Sequence, residues 1–295
     1  MNPALQFFLL KSSLNMSLSP SVSGNSLSGH LGLRCEARED GTPFIAEQSF
    51  RAPVHLSKSH VDEDALIVTI VNPTAGFFDG DHLETHVSIE KNARLVLSTP
   101  SASRVYRARS GKAAASYQTF SVGENAFVEW IPEPFIPHAG ARYLQHTKIE
   151  LHPTASLLFF DWISPGRVAR DEIFAYAHLR WELDLEVAGK LVARERYDLR
   201  PGDHSLEALR VKFPAAHYLA VYAAGKMTAH WPAEALDALN DENTYLGHGP
   251  LPDGVFIIRA ICRDSLSARA LLEKLRPLLY AAAGDKPPKL GRIFL

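Results

Sequence analysis

The chain has 295 residues, 46% of them hydrophobic, with 31 Lys+Arg set against 33 Asp+Glu. That apolar share supplies a sizeable core. The near balance of charge, with no basic block and no acidic run, argues against a nucleic-acid-binding protein and a disordered acidic tail. Cys35 and Cys262 stand far apart and in no CxxC pattern, which excludes a disulfide framework and fits a reducing compartment.

At the start, Phe7-Phe8-Leu9-Leu10 is apolar but follows no Lys or Arg. It lacks the basic lead and the roughly 7–15 apolar residues of a secretory signal. The Ser-rich run over residues 17–28 reads as a flexible arm, so residues 1–30 are expected as an arm and 31–295 as a single domain. Met16 is an alternative start to Met1. No stretch approaches the ~20 apolar residues that span a bilayer, and a soluble, cytoplasmic protein is expected.

From residue 32 to residue 199 the pattern is strand after strand. Residues 65–71 form a β-branched apolar run of the kind buried on both faces. Leu83, Thr85, Val87 and Ile89 alternate with polar neighbours, as in a half-buried strand. Further strands are predicted over residues 95–97, 117–122, 127–131, 143–151, 157–162 and 181–187, separated by turn residues. Asn92-Ala93, Asn125-Ala126 and Thr154-Ala155 each close a turn before a hydrophobic strand, and the alanines are 33 and 29 positions apart. Equal modules of this kind fit a β-solenoid; a sandwich with regular hairpins fits the spacing as well.

The last third changes character. Residues 217–224 and 255–262 still read as strands. Residues 232–240 read as a short helix opened by proline. Asp264 or Ser265 is placed to cap a second helix striped by Leu271, Leu272, Leu275 and Leu279, stopped by Gly284 and Pro287. With no linker in between, these helices are expected to pack on the β body.

Four segments carry unusual residue combinations. In the loop Asn72-Pro73-Thr74-Ala75-Gly76-Phe77-Phe78-Asp79-Gly80-Asp81, Asp79-Gly80 is a tight-turn signal. A functional reading instead directs Asp81 inward, where a carboxylate needs a partner, water or a metal. Thr99-Pro100 through Tyr106-Arg107 reads as strand and loop, with Tyr106 and Arg107 either amphipathic cover or anchors for a protein partner. Between Glu129 and Pro137, three prolines argue against regular sheet pairing. Trp130, Phe135 and Ile136 are too apolar for a solvated loop, so the segment is either tucked under the body or covered by another protein. In Gly166-Arg167-Val168-Ala169-Arg170-Asp171-Glu172, Arg167 and Glu172 form a surface ion pair, or Glu172 points to an internal polar route.

Taken in order, these segments resemble the urease accessory protein family UreD (UreH in some bacteria). Asn72, Pro73, Gly76, Gly80 and Asp81 fit its first pattern, with Ala75 and Asp79 in place of glycines. Thr99-Pro100…Tyr106-Arg107 and Glu129-Trp130-x-Pro132…Ile136 with Gly140-Ala141-Arg142 fit the next two. Gly166-Arg167-x-Ala169-x-x-Glu172 fits the last, Asp171 standing for its second glycine. Arg276-Pro277 and Pro288…Arg292 are similar to the family's ending, so the likeness runs over residues 31–294.

That resemblance implies a mainly β, β-helical or solenoid-like stack of strands with a small helical part near the C-terminus. It further implies a scaffold and nickel conduit acting with UreF, the GTPase UreG and apo-urease. Nickel would be transient cargo rather than a permanent cofactor. Asp81 and Glu172 are the residues expected to line the route. Tyr106, Arg107, Trp130, Phe135 and Ile136 are those expected at or beneath a partner interface.

The residues by themselves point to no enzyme, since no nucleophile elbow, P-loop or dinucleotide fingerprint occurs. His82 and His86 on one strand would stand roughly 13 Å apart, too far to share an ion. An alternative from another class is a β-helical polysaccharide-active enzyme built on Asp161-Trp162 or Asp171-Glu172.

Overall fold

The computed structural model describes residues 26–74, 76–203 and 206–290. Residues 1–25, which include most of the span expected as an arm and both alternative starts, lie outside the described residues, as do Ala75 and Arg292. The first strand already begins at Ser28, inside the span expected as an arm.

The body is a solenoid of about four coils. In each coil a long strand crosses a front sheet, a turn follows, and the next strand crosses a back sheet. The front sheet stacks Ser28–Ala37, His82–Ile89, Ala114–Val122, Arg142–Leu151 and His178–Val187 in parallel. Ala65–Val71, Arg94–Ser98, Phe127–Ile131 and Ser156–Ile163 do the same at the back. Antiparallel strands finish the stack. Pro43–Arg51 and Lys190–Leu199 flank the front sheet, and His217–Ala224, Phe256–Cys262 and Thr244–Pro250 extend the back one.

The repeated turn is visible atom by atom. Asn92 and Asn125 take left-handed φ of 61° and 54°, a conformation that asparagine tolerates better than most residues. Ala93, Ala126 and Ala155 follow, all buried; their amides close the turns, and the carbonyls of the first two link coil to coil, Phe127 N–H donating to Ala93 O and Ser156 N–H to Ala126 O. A larger side chain at the alanine would have to fit between stacked turns.

Between the sheets lies an apolar core that includes Leu95, Leu97, Val128, Leu157 and Phe159. Neighbouring strand residues such as Val96, Phe127, Leu158 and Phe160 point the other way, where the C-terminal helix Ser265–Ala282 covers them with Leu271, Leu272, Leu275 and Leu279. Back-sheet strands are therefore buried on both faces, which is why residues 65–71 read as a continuous apolar run. Asp264 caps this helix, its Oδ1 accepting from Ser267 N–H at 2.8 Å. The short helix spans Ala233–Asp237, after Pro232.

Prolines do not keep the Glu129–Pro137 segment out of the sheets. Phe135–Pro137 is a strand, parallel to Ser103–Val105. Its flanks carry the ladder: Ser103 N–H donates to Pro134 O at 3.1 Å, and His138 N–H donates to Val105 O at 3.0 Å. So short a strand asks nothing of the proline nitrogens.

Candidate functional site

Each coil turns a third corner through a strand of two or three residues: Gly76–Phe77, Ser103–Val105 and Phe135–Pro137, laid side by side in parallel. Gly76 allows this closeness, because a Cβ there would overlap the Arg104 carbonyl. One coil further on, the Gly166–Arg167 strand pairs with Glu172–Ile173. The four sequence segments are thus successive storeys of one corner.

The loops leaving that corner enclose an open basin of about 750 Å³. Phe78 and Asp79 come from the first segment, Tyr106 and Arg107 from the second, His138 and Ala139 from the third, and Arg167 and Glu172 from the fourth. Phe78, 46% exposed, stacks on Tyr106 with centroids 4.7 Å apart and planes inclined by 19°. His138 meets the Tyr106 ring edge-on at 4.9 Å.

Both expected route carboxylates are engaged. Asp81, 2% exposed, accepts from Leu27 N–H at 2.7 Å and Phe78 N–H at 2.8 Å, tying the first strand to the Phe78–Asp81 turn. Glu172 accepts from Arg167 through both oxygens and from Ala139 N–H at 3.0 Å. The Arg167 guanidinium holds its carboxyl down at about 2. Asp171, in the place of a family glycine, takes a left-handed φ of 56°.

The expected partner group divides. Tyr106 and Arg107 line the basin. Trp130 and Phe135 are interior: Trp130 packs near Phe120 and Phe159, with centroids 6.0 and 6.2 Å away, and Phe135 against Tyr143 and Trp181 at 4.5 and 5.1 Å. Ile136 is half-buried in the corner strand.

A second space lies inside the solenoid, a cavity of about 90 Å³. It is well above the ~10–15 Å³ that one water needs. Thr85, Ser116, Gln118 and Gln145 face it from successive front strands, and Asp161 from the back sheet. Gln145 donates to Thr147, whose hydroxyl donates to Gln118, each at 3.3 Å. Trp181 Nε1–H donates to Asp161 Oδ2 at 3.2 Å. Burial pushes the Asp161 carboxyl up to about 7. The wall reaches the surface at Pro100 and Ser101.

In the sequence, Asp161 enters only with Trp162, as one of two alternative bases for a polysaccharide-active site. The structure places Asp161 and Trp162 in the interior and Asp171 and Glu172 outside, the latter with its carboxylate bound by Arg167. His138 and the Thr85–Gln145 ladder escaped the sequence reading; their one signal was polar residues at inward positions of alternating strands. Among the described residues no three His, Cys, Asp or Glu converge as a metal cage. None of the described helices is long and apolar enough to cross a membrane.

The family model described as UreD urease accessory protein matches residues 27–294. A protein of Opitutus terrae named urease accessory protein UreD is 36% identical over 260 residues, covering 86% of this chain and 94% of that one. Its namesake from Deinococcus radiodurans is 35% identical over 163 residues, 55% of each chain. That from Staphylococcus aureus is 29% identical over 170 residues, 58% of this chain and 59% of its own.

Proposed function

The chain belongs to the UreD urease accessory family, and on that premise we propose that it is a cytoplasmic, non-catalytic scaffold. In this reading it passes nickel to apo-urease in company with UreF and the GTPase UreG. Nickel is cargo.

The observation that carries the conduit reading is the interior cavity with Asp161 on its wall. Glu133, the other carboxylate of the lining, is paired with Arg269. A passage must attract a cation and still release it, which the single carboxylate of Asp161 does better than a converged imidazole cage. With its pKa near neutrality, Asp161 exchanges a proton for a cation at little cost. Asp81 and Glu172 enter this reading as residues that hold the shape of the corner, because backbone amides and Arg167 already claim them.

The test is urease maturation itself. Apo-urease, UreF and UreG are produced with and without this chain, and nickel per active site is measured after purification. Loading that depends on the chain supports the reading; equal loading in its absence removes it.

A further inference from the structure

We propose that the corner basin is a receptor for an acidic segment of a protein partner. The proposal rests on reading the chain as an assembly protein, and it names the chemistry of one docking partner.

Four cations line the basin, Arg107, Arg109, Lys112 and Arg167, against two carboxylates, Asp79 and Glu172. Glu172 is spent on Arg167. Asp79 is held below the usual carboxylate range, despite burial, by hydrogen bonds from Ser110 and Lys112. Arg107 and Arg109 are exposed and form no ion pair among the described residues. Their charge is therefore uncompensated among the described residues.

The floor adds a second, independent mark. His138 is only 7% exposed, and its Nε2 has no hydrogen-bond partner among the described residues. A buried polar atom of this kind usually has one. A bare metal dication is disfavoured by the net positive charge, whereas a carboxylate satisfies the free guanidinium groups in bidentate fashion. The exposed Phe78, stacked on Tyr106, offers an apolar platform beside the charges. Charged Arg beside an aromatic surface is the composition of protein-interaction hot spots. An acidic stretch carrying an apolar residue fits both features.

The test uses the isolated full chain and a fluorescein-labelled peptide, Gly-Glu-Glu-Leu-Glu-Glu-Gly, followed by anisotropy. Saturable binding is expected, weakened about tenfold by Arg107→Gln combined with Arg109→Gln, and by Gln in place of Glu in the peptide. Lys190→Gln, on a remote exposed lysine, should leave affinity within about twofold. Absence of saturable binding, or equal weakening by Lys190→Gln, would overturn the proposal. Inorganic phosphate is run as competitor. If it binds more tightly than the peptide and displaces it fully, the basin takes small oxyanions and the peptide assignment fails. Because neither urease nor nickel is present, the outcome is independent of the maturation test.

Discussion

Glu129, with none of its surface exposed, receives both prongs of the Arg276 guanidinium, at 2.6 Å from Nε and 2.8 Å from Nη2. Tyr280 O–H donates to the same carboxylate at 2.7 Å. The residues are 147 positions apart in sequence, so the pair clamps the C-terminal helix to the middle of the solenoid. It also joins the Glu129-Trp130 and Arg276-Pro277 segments, two of those that drew attention in the sequence.

Breaking that clamp from one side should be costly, since it strands a buried charge. Arg276→Met is expected to lower stability by about 3–5 kcal/mol. The double variant Glu129→Leu with Arg276→Met should recover most of that loss, because no charge is then left unpaired. Urea denaturation of the three proteins checks it.

Trp130 and Tyr106 should behave oppositely. Trp130→Ala opens a void beside Phe120 and Phe159 and should cost about 3–5 kcal/mol. Tyr106→Ala and Arg107→Ala, at the basin, should stay within roughly 1 kcal/mol of the parent while weakening capture of partner proteins. Melting curves paired with pull-downs separate the two roles.

The buried Asp161 carboxyl predicts a pH signature. Its folded pKa of about 7 lies above the ordinary 3.8. Between those values the folded state holds a proton that the unfolded state has released, so this group's stabilising contribution is full below 3.8 and is lost as pH rises towards 7. His217 opposes it. Burial presses its pKa down to about 4, so its share of stability is lost as pH falls from 6.5 to 4. Comparing Asp161→Asn with the parent cancels the histidine. The variant's relative stability should climb from pH 4 to pH 7, by on the order of 3 kcal/mol, and then level off.

Much of the fold was legible in the residues. Alternation marked the front strands, and the Asn-Ala turns marked the coil repeat, because a left-handed residue followed by a buried alanine is a local requirement. The corner was not legible. Strands such as Gly76–Phe77 are too short to show any period, so nothing in the sequence announced that four separated segments share one basin. For Trp130 the residues left two places open, tucked under the body or beneath a partner, because prolines surround it; in Phe127–Ile131 every residue is buried, and composition alone cannot tell which face a side chain takes. Lys190–Leu199 lies in the span read as strand after strand but is not singled out by any apolar pattern, because many of its side chains are charged, as a flanking strand permits.

Gly166 offers a local test of the corner. Its φ is 136°, and a Cβ there would overlap the Glu172 carbonyl oxygen. Gly166→Ala should displace the Glu172 strand, weaken the Arg167–Glu172 pair and raise the Glu172 pKa from about 2 towards its ordinary 4.5. Carboxyl-labelled NMR titration of parent and variant reads this directly.

The conduit reading is tested most directly by nickel delivery through Asp161→Asn. The amide keeps the size of the carboxylate and can still accept from Trp181, and it removes the charge that attracts a cation. The variant is expected to be at least as stable as the parent at neutral pH, so misfolding does not confuse the result. Nickel per urease active site, measured after maturation with UreF and UreG, should fall severalfold while the complex assembles normally. Full nickel loading by an assembled Asp161→Asn complex would contradict the account.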